Sequence, residues 1–306
     1  MANAFTQRAF GCAVIKSVNS NYNADFTHQP RTLPDGTVYA TDKALKYTVR
    51  NYFKSVFPEE KVFYFRSLSD DLQPRTLDEN YESHFGAFSA GKDTELRKIV
   101  LKNLLDCLDV RLFGGTFAGK TNLSLHGPVQ ISHGVNRFVE GVIYSEQIMS
   151  PFRNPGEKQQ DSTMTTLGTQ SKLREGHYVH HFSVNPQNLE GLVQLSEGQP
   201  LTEDDIQKLK EGLSRGATLY DSAAKAGTEN ELLVWVQLKP GSMLVLPSFV
   251  EKVSVGEDRA IDLSAITEIL ERPSVKEHID KIEIYKDPAT SISGSPANVQ
   301  YFEIHS

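Results

Sequence analysis

Apolar residues recur along this chain with two periods, and the switches between them outline its elements. RAFGCAVIKSV (8–18) is a nearly continuous apolar run of strand length and predicts a buried first strand. SVNSNYNADFTHQPRTLPDG (17–36) is dense in Asn, Asp, Pro and Gly and predicts irregular loop. In TDKALKYTVRNYFKSVF (41–57) the apolar positions Leu45, Val49, Tyr52, Phe53 and Val56 fall on one side of a helix. Thr41 or Asp42 can cap that helix, and Pro58 ends it. TELRKIVLKNLLDCLDV (94–110) places Leu96, Ile99, Val100, Asn103, Leu104 and Leu108 at three- and four-residue steps, again helical. NLSLHGPVQISHG (122–134) alternates instead, around Gly127-Pro128, and predicts strand. TEDDIQKLKEGL (202–213) is a capped helix with acids first and lysines later, as the helix dipole favours. ELLVWVQL, MLVLPSFVEKVSV, IDKIEIYKD and VQYFEI predict later strands in acidic surroundings, a face turned away from nucleic acid.

Composition narrows the class. At 306 residues, 39% hydrophobic and 23% charged, the chain fits one large globular domain or two ordinary ones. The absence of repeats and long linkers favours a single domain with insertions. No apolar run is long enough to span a bilayer, and AFGCAVI reads as a strand, not a signal peptide. Cys12 and Cys107 form neither a disulfide framework nor a metal spacing, and a cytoplasmic protein is expected. The overall charge of −7 hides an asymmetry: residues 8 to 66 carry +4 and the remainder −11.

That excess is concentrated in one helix. Lys43, Lys46, Arg50 and Lys54 fall within an arc of about 60° opposite the apolar side. No glutamate lies four residues from any of them to form the usual surface pair. Such a stripe is either a solvated helix face or a track for a phosphate backbone, since spaced Lys and Arg supply affinity without sequence information.

Two other motifs suggest different chemistry. GGTFAGKT (114–121) matches the phosphate loop of nucleotide hydrolases through Gly114, Gly119, Lys120 and Thr121. A working phosphate loop needs a strand before it and a helix after it; here a helix precedes and a strand follows. The glycines are better read as a tight turn between helix and strand. HYVHH (177–181) tempts a metal reading, but on a strand His180 faces away from His177 and His181, which lie too far apart to share an ion. No cysteine or carboxylate completes a site, so the segment reads as a strand with polar exposure, and neither metal nor cofactor is expected.

Three separated stretches resemble one family. VNSNYNAD, HQPR and TDKALKYTVRNYF are similar to an Asn/Asp-rich loop, a basic segment and an L-K-x-x-x-R helix. DVRLFGGTF and LHGPVQISHG are similar to its D-x-R-x-F-G and G-P-V-Q-x-S-H-G motifs. TMTTLGTQSKLREGHYVHHFSVNPQNL is similar to the segment that closes its thumb. The family is that of the backbone subunit of the type I CRISPR surveillance complex (Cascade), Cas family seven, nearest its I-B and I-C branch. His28-Gln29 stands where that branch commonly has Asn-Arg, and SNYNAD replaces its N-P-N-G-D-P-like run.

The resemblance implies an α+β hand across 1–306: an RRM-like, ferredoxin-like palm, a helical finger insertion, and a β-hairpin thumb at about 144–176. It implies a non-enzymatic protein whose copies stack along a CRISPR guide RNA into a filament, with other Cascade subunits at the ends. Base pairing, not the protein, would read the target DNA. Carried over by position, Lys46 and Arg50 would hold the guide backbone, with Lys43 and Lys54 joining them on the helical-face argument alone. Asn19, His28 and Arg31 would contact ribose or phosphate, and Gly114 counts among the RNA-contacting positions. In the thumb, Met164 and Leu167 would either wedge against bases or pack on a neighbouring copy, while Gly168, Thr169 and Gln170 shape the backbone near the RNA. Related type III subunits cut RNA with an aspartate in the loop after the first strand. Asp25 occupies that loop here and carries the alternative, enzymatic reading.

Overall fold

The computed structural model describes residues 3–90, 92–149 and 167–304. Along the chain run β1 (Ala9–Ser20), β2 (Tyr39–Ala40), α1 (Asp42–Val56), α2 (Leu77–Phe85), α3 (Asp93–Leu105), α4 (Leu108–Phe113), β3 (Gly114–Ala118), β4 (Asn122–His126), β5 (Val129–Asn136), β6 (Ile143–Met149) and β7 (Leu167–Val184). They are followed by α5 (Gln187–Ser196), α6 (Glu203–Leu219), β8 (Thr228–Leu238), β9 (Ser254–Val255), β10 (Ile261–Asp262), α7 (Ser264–Leu270), α8 (Pro273–Lys276), β11 (Ile279–Lys286), β12 (Ile292–Ser293) and β13 (Val299–Glu303).

Among the described residues the main sheet runs β13-β11-β8-β1-β7-β5-β2, with β6 paired to the outer half of β7. β1 is antiparallel to both β7 and β8, and β5 is antiparallel to β7. The four inner strands therefore interleave two strand–helix–strand units, with α1 following β1 and α6 preceding β8. Because β1 is central and covered on both faces, its apolar run is nearly continuous instead of alternating. One face, with Ala13, Ile15, Phe182 and Trp235, packs on Leu45, Val49 and Phe53 of α1 and Leu209 and Leu213 of α6. The other, with Phe10, Cys12, Val14 and Val234, is covered by Leu246, Phe249, Ile261 and Ile266. α1 and α6 approach closely because α6 presents glycines to α1. A Cβ on Gly216 would lie 2.9 Å from the Thr48 carbonyl oxygen, and one on Gly212 2.9 Å from a Val49 methyl.

A third, smaller core (Phe63, Tyr81, Leu104, Leu105, Phe117 and Leu125) belongs to α2, α3, α4 and the β3–β4 hairpin. The helix expected across 94–110 is broken at Asp106-Cys107, so Leu108 starts a separate short helix, α4. That break aims two charged side chains in different directions. Asp109 is fully buried and accepts from Phe63 N (2.7 Å), Tyr64 N (2.9 Å) and Arg50 Nε (2.8 Å). Arg111 is also buried and donates to both carboxylate oxygens of Asp205, at 2.8 and 3.1 Å, and to the Leu105 carbonyl. Asp205 simultaneously closes the capping box of α6 with Thr202.

Three expectations are revised. Of MLVLPSFVEKVSV only Ser254–Val255 (β9) is strand: Leu246 and Phe249 are buried in irregular chain, which Pro247 cannot continue as a ladder, and Val250 begins a 3-10 turn. The strand expected over 122–134 is two strands, β4 and β5, parted at Gly127-Pro128; GGTFAGKT before it supplies β3 and the turn into β4, with Gly114 turning the chain out of α4 at φ +66° and Gly119 in the hairpin turn. Lys120 N donates to Asp78 Oδ1 at 2.9 Å, and no helix follows to hold a phosphate. Finally, the histidines at 177 and 180 are fully buried, not exposed.

Removing one partner from a buried ion pair strands the other charge. Asp205→Ala should therefore lower the unfolding free energy by about 3 kcal/mol, read from the urea midpoint, because Arg111 would keep only its longer 3.6 Å ion pair with Glu60 and α6 would lose its cap.

Candidate nucleic-acid interface

The loop after β1 is a built structure despite its polar sequence. Asp25 Oδ1 accepts from Thr27 N (2.8 Å), Thr27 Oγ1 (2.8 Å) and Gln29 N (3.0 Å), closing a local turn. Those bonds, with the charge of Arg31 nearby, hold the Asp25 carboxyl below the usual aspartate range. Arg31 Nε donates to the Ala24 carbonyl at 3.1 Å. Asn21 and Asn23 then fasten the loop to its surroundings. Asn21 Nδ2 donates to the carbonyls of His28 and of Ser171 on β7, both at 3.2 Å. Asn23 Oδ1 accepts from the backbone and hydroxyl of Thr41, at 2.9 and 3.0 Å, at the start of α1. Asn19, exposed at φ +48°, accepts from the Tyr144 hydroxyl on β6 at 3.1 Å.

Beneath the loop, Tyr22 and His180 are buried together. His180 Nδ1 faces the Ser132 carbonyl at 3.1 Å, and a carbonyl can only accept, so that nitrogen carries the proton. Burial drops the ring to about 4, so it is neutral and Nε2 is left to accept from the Tyr22 hydroxyl at 3.3 Å. Lys225 reaches up from the turn before β8 to donate to the Tyr22 carbonyl and lies over the Tyr22 ring. Burial lowers its ammonium to about 8.

The basic stripe on α1 divides into two kinds of cation. Lys43 and Lys54 are exposed, the latter lying over the Phe65 ring. Lys46 pairs with Asp42 at 3.0 Å, so an aspartate one turn earlier makes the surface pair that no glutamate makes. Arg50 is mostly buried in its pair with Asp109 and lies over the Tyr64 and Phe113 rings. Its Nε bond to Asp109 is structural, so the guanidinium has a role inside the fold beside the one expected of it toward a guide backbone.

Gly114 is likewise buried, and a Cβ there would stand 2.2 Å from the Leu125 carbonyl oxygen. Its evident role is the turn below Phe113, not an exposed RNA contact. Of the thumb positions, Gly168 and Thr169 are exposed on β7 opposite Ile148 and Gln147, and Gln170 is opposite Glu146. Leu167 begins β7 opposite Met149, and Met164 lies outside the described residues. His28 is exposed at φ +65°.

The structure thus joins the loop, the start of the basic helix and the base of the β6–β7 hairpin through Asn21, Asn23 and Asn19. The sequence marks the loop as polar but does not separate its fasteners from its exposed groups. Lys225 carries no local signal at all; it stands in a small turn some two hundred residues away. Among the described residues, no cluster of three or more His, Cys, Asp or Glu side chains could hold a metal. Nor is any helix long and apolar enough to cross a membrane.

Residues 7–271 match the model of a family described as "CRISPR-associated protein Cas7". Among solved structures, the chain is similar to one titled "CRISPR RNA-guided surveillance complex, pre-nicking", with TM-score 0.53, 13% identity, and 97% of this chain and 96% of that one covered. A second, "CRISPR RNA-guided surveillance complex", aligns with TM-score 0.48 and 14% identity over 93% of this chain and 95% of that one. At its low identity the first shows a shared fold. No match is found among curated proteins.

Asp25→Ala should loosen the loop at neutral pH, where its carboxylate is charged, and speed amide exchange at Thr27 and Gln29. In the unaltered chain the same amides should lose protection only on acidification through the lowered Asp25 value, because protonation removes the acceptor that holds them.

Proposed function

The chain belongs to the Cas7 family, and from that premise we propose that it is a non-enzymatic, guide-RNA-binding backbone subunit of a type I surveillance complex. The observation that carries this reading is the joining of three surfaces by one loop. The loop after β1 is fastened by Asn23 to the start of the basic helix and by Asn21 to the hairpin at Ser171. A strand lying across it would meet exposed Lys43 and Lys54 on one side and Gly168 and Thr169 on the other. His28 and Arg31 stand on the loop itself. Cations without base-edge partners suit recognition of a backbone independent of sequence.

In this reading the interleaved inner strands with α1 and α6 are the palm, and their order is that of RRM-like, ferredoxin-like sheets. The α2–α4 and β3–β4 unit, with its own small core, is the finger, and β6–β7 is the thumb across about 144–176. All belong to one hand-shaped unit spanning 1–306. Copies would pack along one guide, with other complex subunits at the ends and target DNA held by pairing to the guide. Asp25 belongs to the loop's scaffold: its Oδ1 takes three hydrogen bonds that shape the turn. This supports a holding role over RNA cleavage.

The division of the stripe into buried and exposed cations sets the test. Lys43→Ala/Lys54→Ala should keep the fold and reduce co-purifying RNA. The slope of log affinity against log salt should become shallower by about 1.4, at about 0.7 per lost contact on a single strand. RNA retained with an unchanged slope would make the stripe a solvated face. Arg50→Ala, by contrast, should register first as a loss of thermal stability.

A further inference from the structure

We infer that Phe26 is a stacking platform for one base of the bound single strand, an inference that rests on the guide-RNA reading above. Its side chain is 97% exposed, the highest exposure of any large hydrophobic among the described residues. A phenylalanine in a loose polar loop could fold back onto apolar surface. Here the turn that carries it is held by hydrogen bonds on both sides and the ring stands in solvent.

Asp25 N donates to the Gln29 carbonyl at 2.8 Å, and Ala24 pairs with Pro30 as a short antiparallel bridge. Asp25 Oδ1 holds the next turn from inside, and Asn21 anchors the His28 carbonyl from below. His28 adopts φ +65°, which a non-glycine residue accepts only where its surroundings hold it there. The backbone on both sides of Phe26 is therefore fixed, and its ring is presented outward.

What surrounds the ring distinguishes its partner. A protein interface core is a contiguous apolar patch. Phe26 is instead flanked in the chain by the polar residues Asp25, Thr27, His28 and Gln29, with Arg31 beyond Pro30. Asp25 has one carboxylate oxygen consumed by the turn, whereas the His28 side chain is exposed. A single aromatic face flanked by hydrogen-bonding and basic side chains fits a nucleotide: ring on base, neighbours on ribose and phosphate. Such stacking tolerates any base, since every base has a π-face. It therefore suits a protein that leaves sequence reading to pairing. The platform differs from the wedging positions expected at Met164 and Leu167, since it sits on the loop after β1.

The test compares full-length chain with Phe26→Ala and Phe26→Trp on two probes: a short adenosine-rich single-stranded RNA and an abasic ribose-phosphate strand of equal length. Phe26→Ala should bind the RNA about 5- to 150-fold more weakly and the abasic strand unchanged. Phe26→Trp should retain affinity, with its indole emission quenched by RNA but not by the abasic strand. Equal affinity of Phe26→Ala and the unaltered chain for RNA, or equal losses on both probes, would overturn the inference. So would unchanged RNA affinity together with loss of self-association in sedimentation, which would place the ring against a second copy. If the unaltered chain bound neither strand, the guide-RNA reading itself would fall, and Phe26 with it.

Discussion

Two charges on the six-residue helix α4 hold the parts of this molecule together. Asp109 draws in Arg50 of α1 and the amides of Phe63 and Tyr64. Arg111, on the same short helix, draws in Asp205 at the start of α6 and the carbonyl of Leu105. Each buried charge is tolerable only because it is paired and its hydrogen-bonding capacity is used. The helices that cover the main sheet are thereby bolted to the smaller core of α2–α4. The position of the basic stripe relative to that core is fixed by the same bonds.

This arrangement explains why a one-sign stripe need not be a uniform binding surface. Four cations share a helix face, but the protein uses Arg50 for its interior and ties Lys46 to Asp42, leaving Lys43 and Lys54 toward solvent. A cation held by a buried carboxylate is fixed in direction, and Arg50 spends its Nε donor on that bond. It still shapes the site, since Phe113 lies under both Lys46 and Arg50 and leads into the Gly114 turn. The division of labour is thus between cations that build the surface and cations that present it.

The loop after β1 follows the same logic with neutral groups. Asn21, Asn23 and the Asp25 carboxylate face inward and make the bonds that position the loop, while Phe26 and His28 face outward. A loop that must carry function needs a rigid base, and side-chain to backbone bonds supply it where no ladder can. The buried Tyr22–His180 contact and Lys225 close the base from below.

The sequence by itself determined the elements whose signal is local. The periodicity of 41–57 specified a helix and its apolar side, and the apolar runs at 8–18 and 231–238 specified strands, whose central place only the sheet order gives. Motif order alone supported the family. Tertiary structure decided everything that depends on partners distant in the chain. It showed that Arg50 meets Asp109, that the 94–110 helix breaks so that Asp109 and Arg111 can point to different neighbours, and that the histidines of 177–181 are largely inside. It also brought Lys225 under a loop two hundred residues earlier. The physical reason is common to these cases. Helical and strand periods are written in neighbouring residues, but whether a charge is free or consumed depends on which opposite charge folding brings within about 3 Å of it.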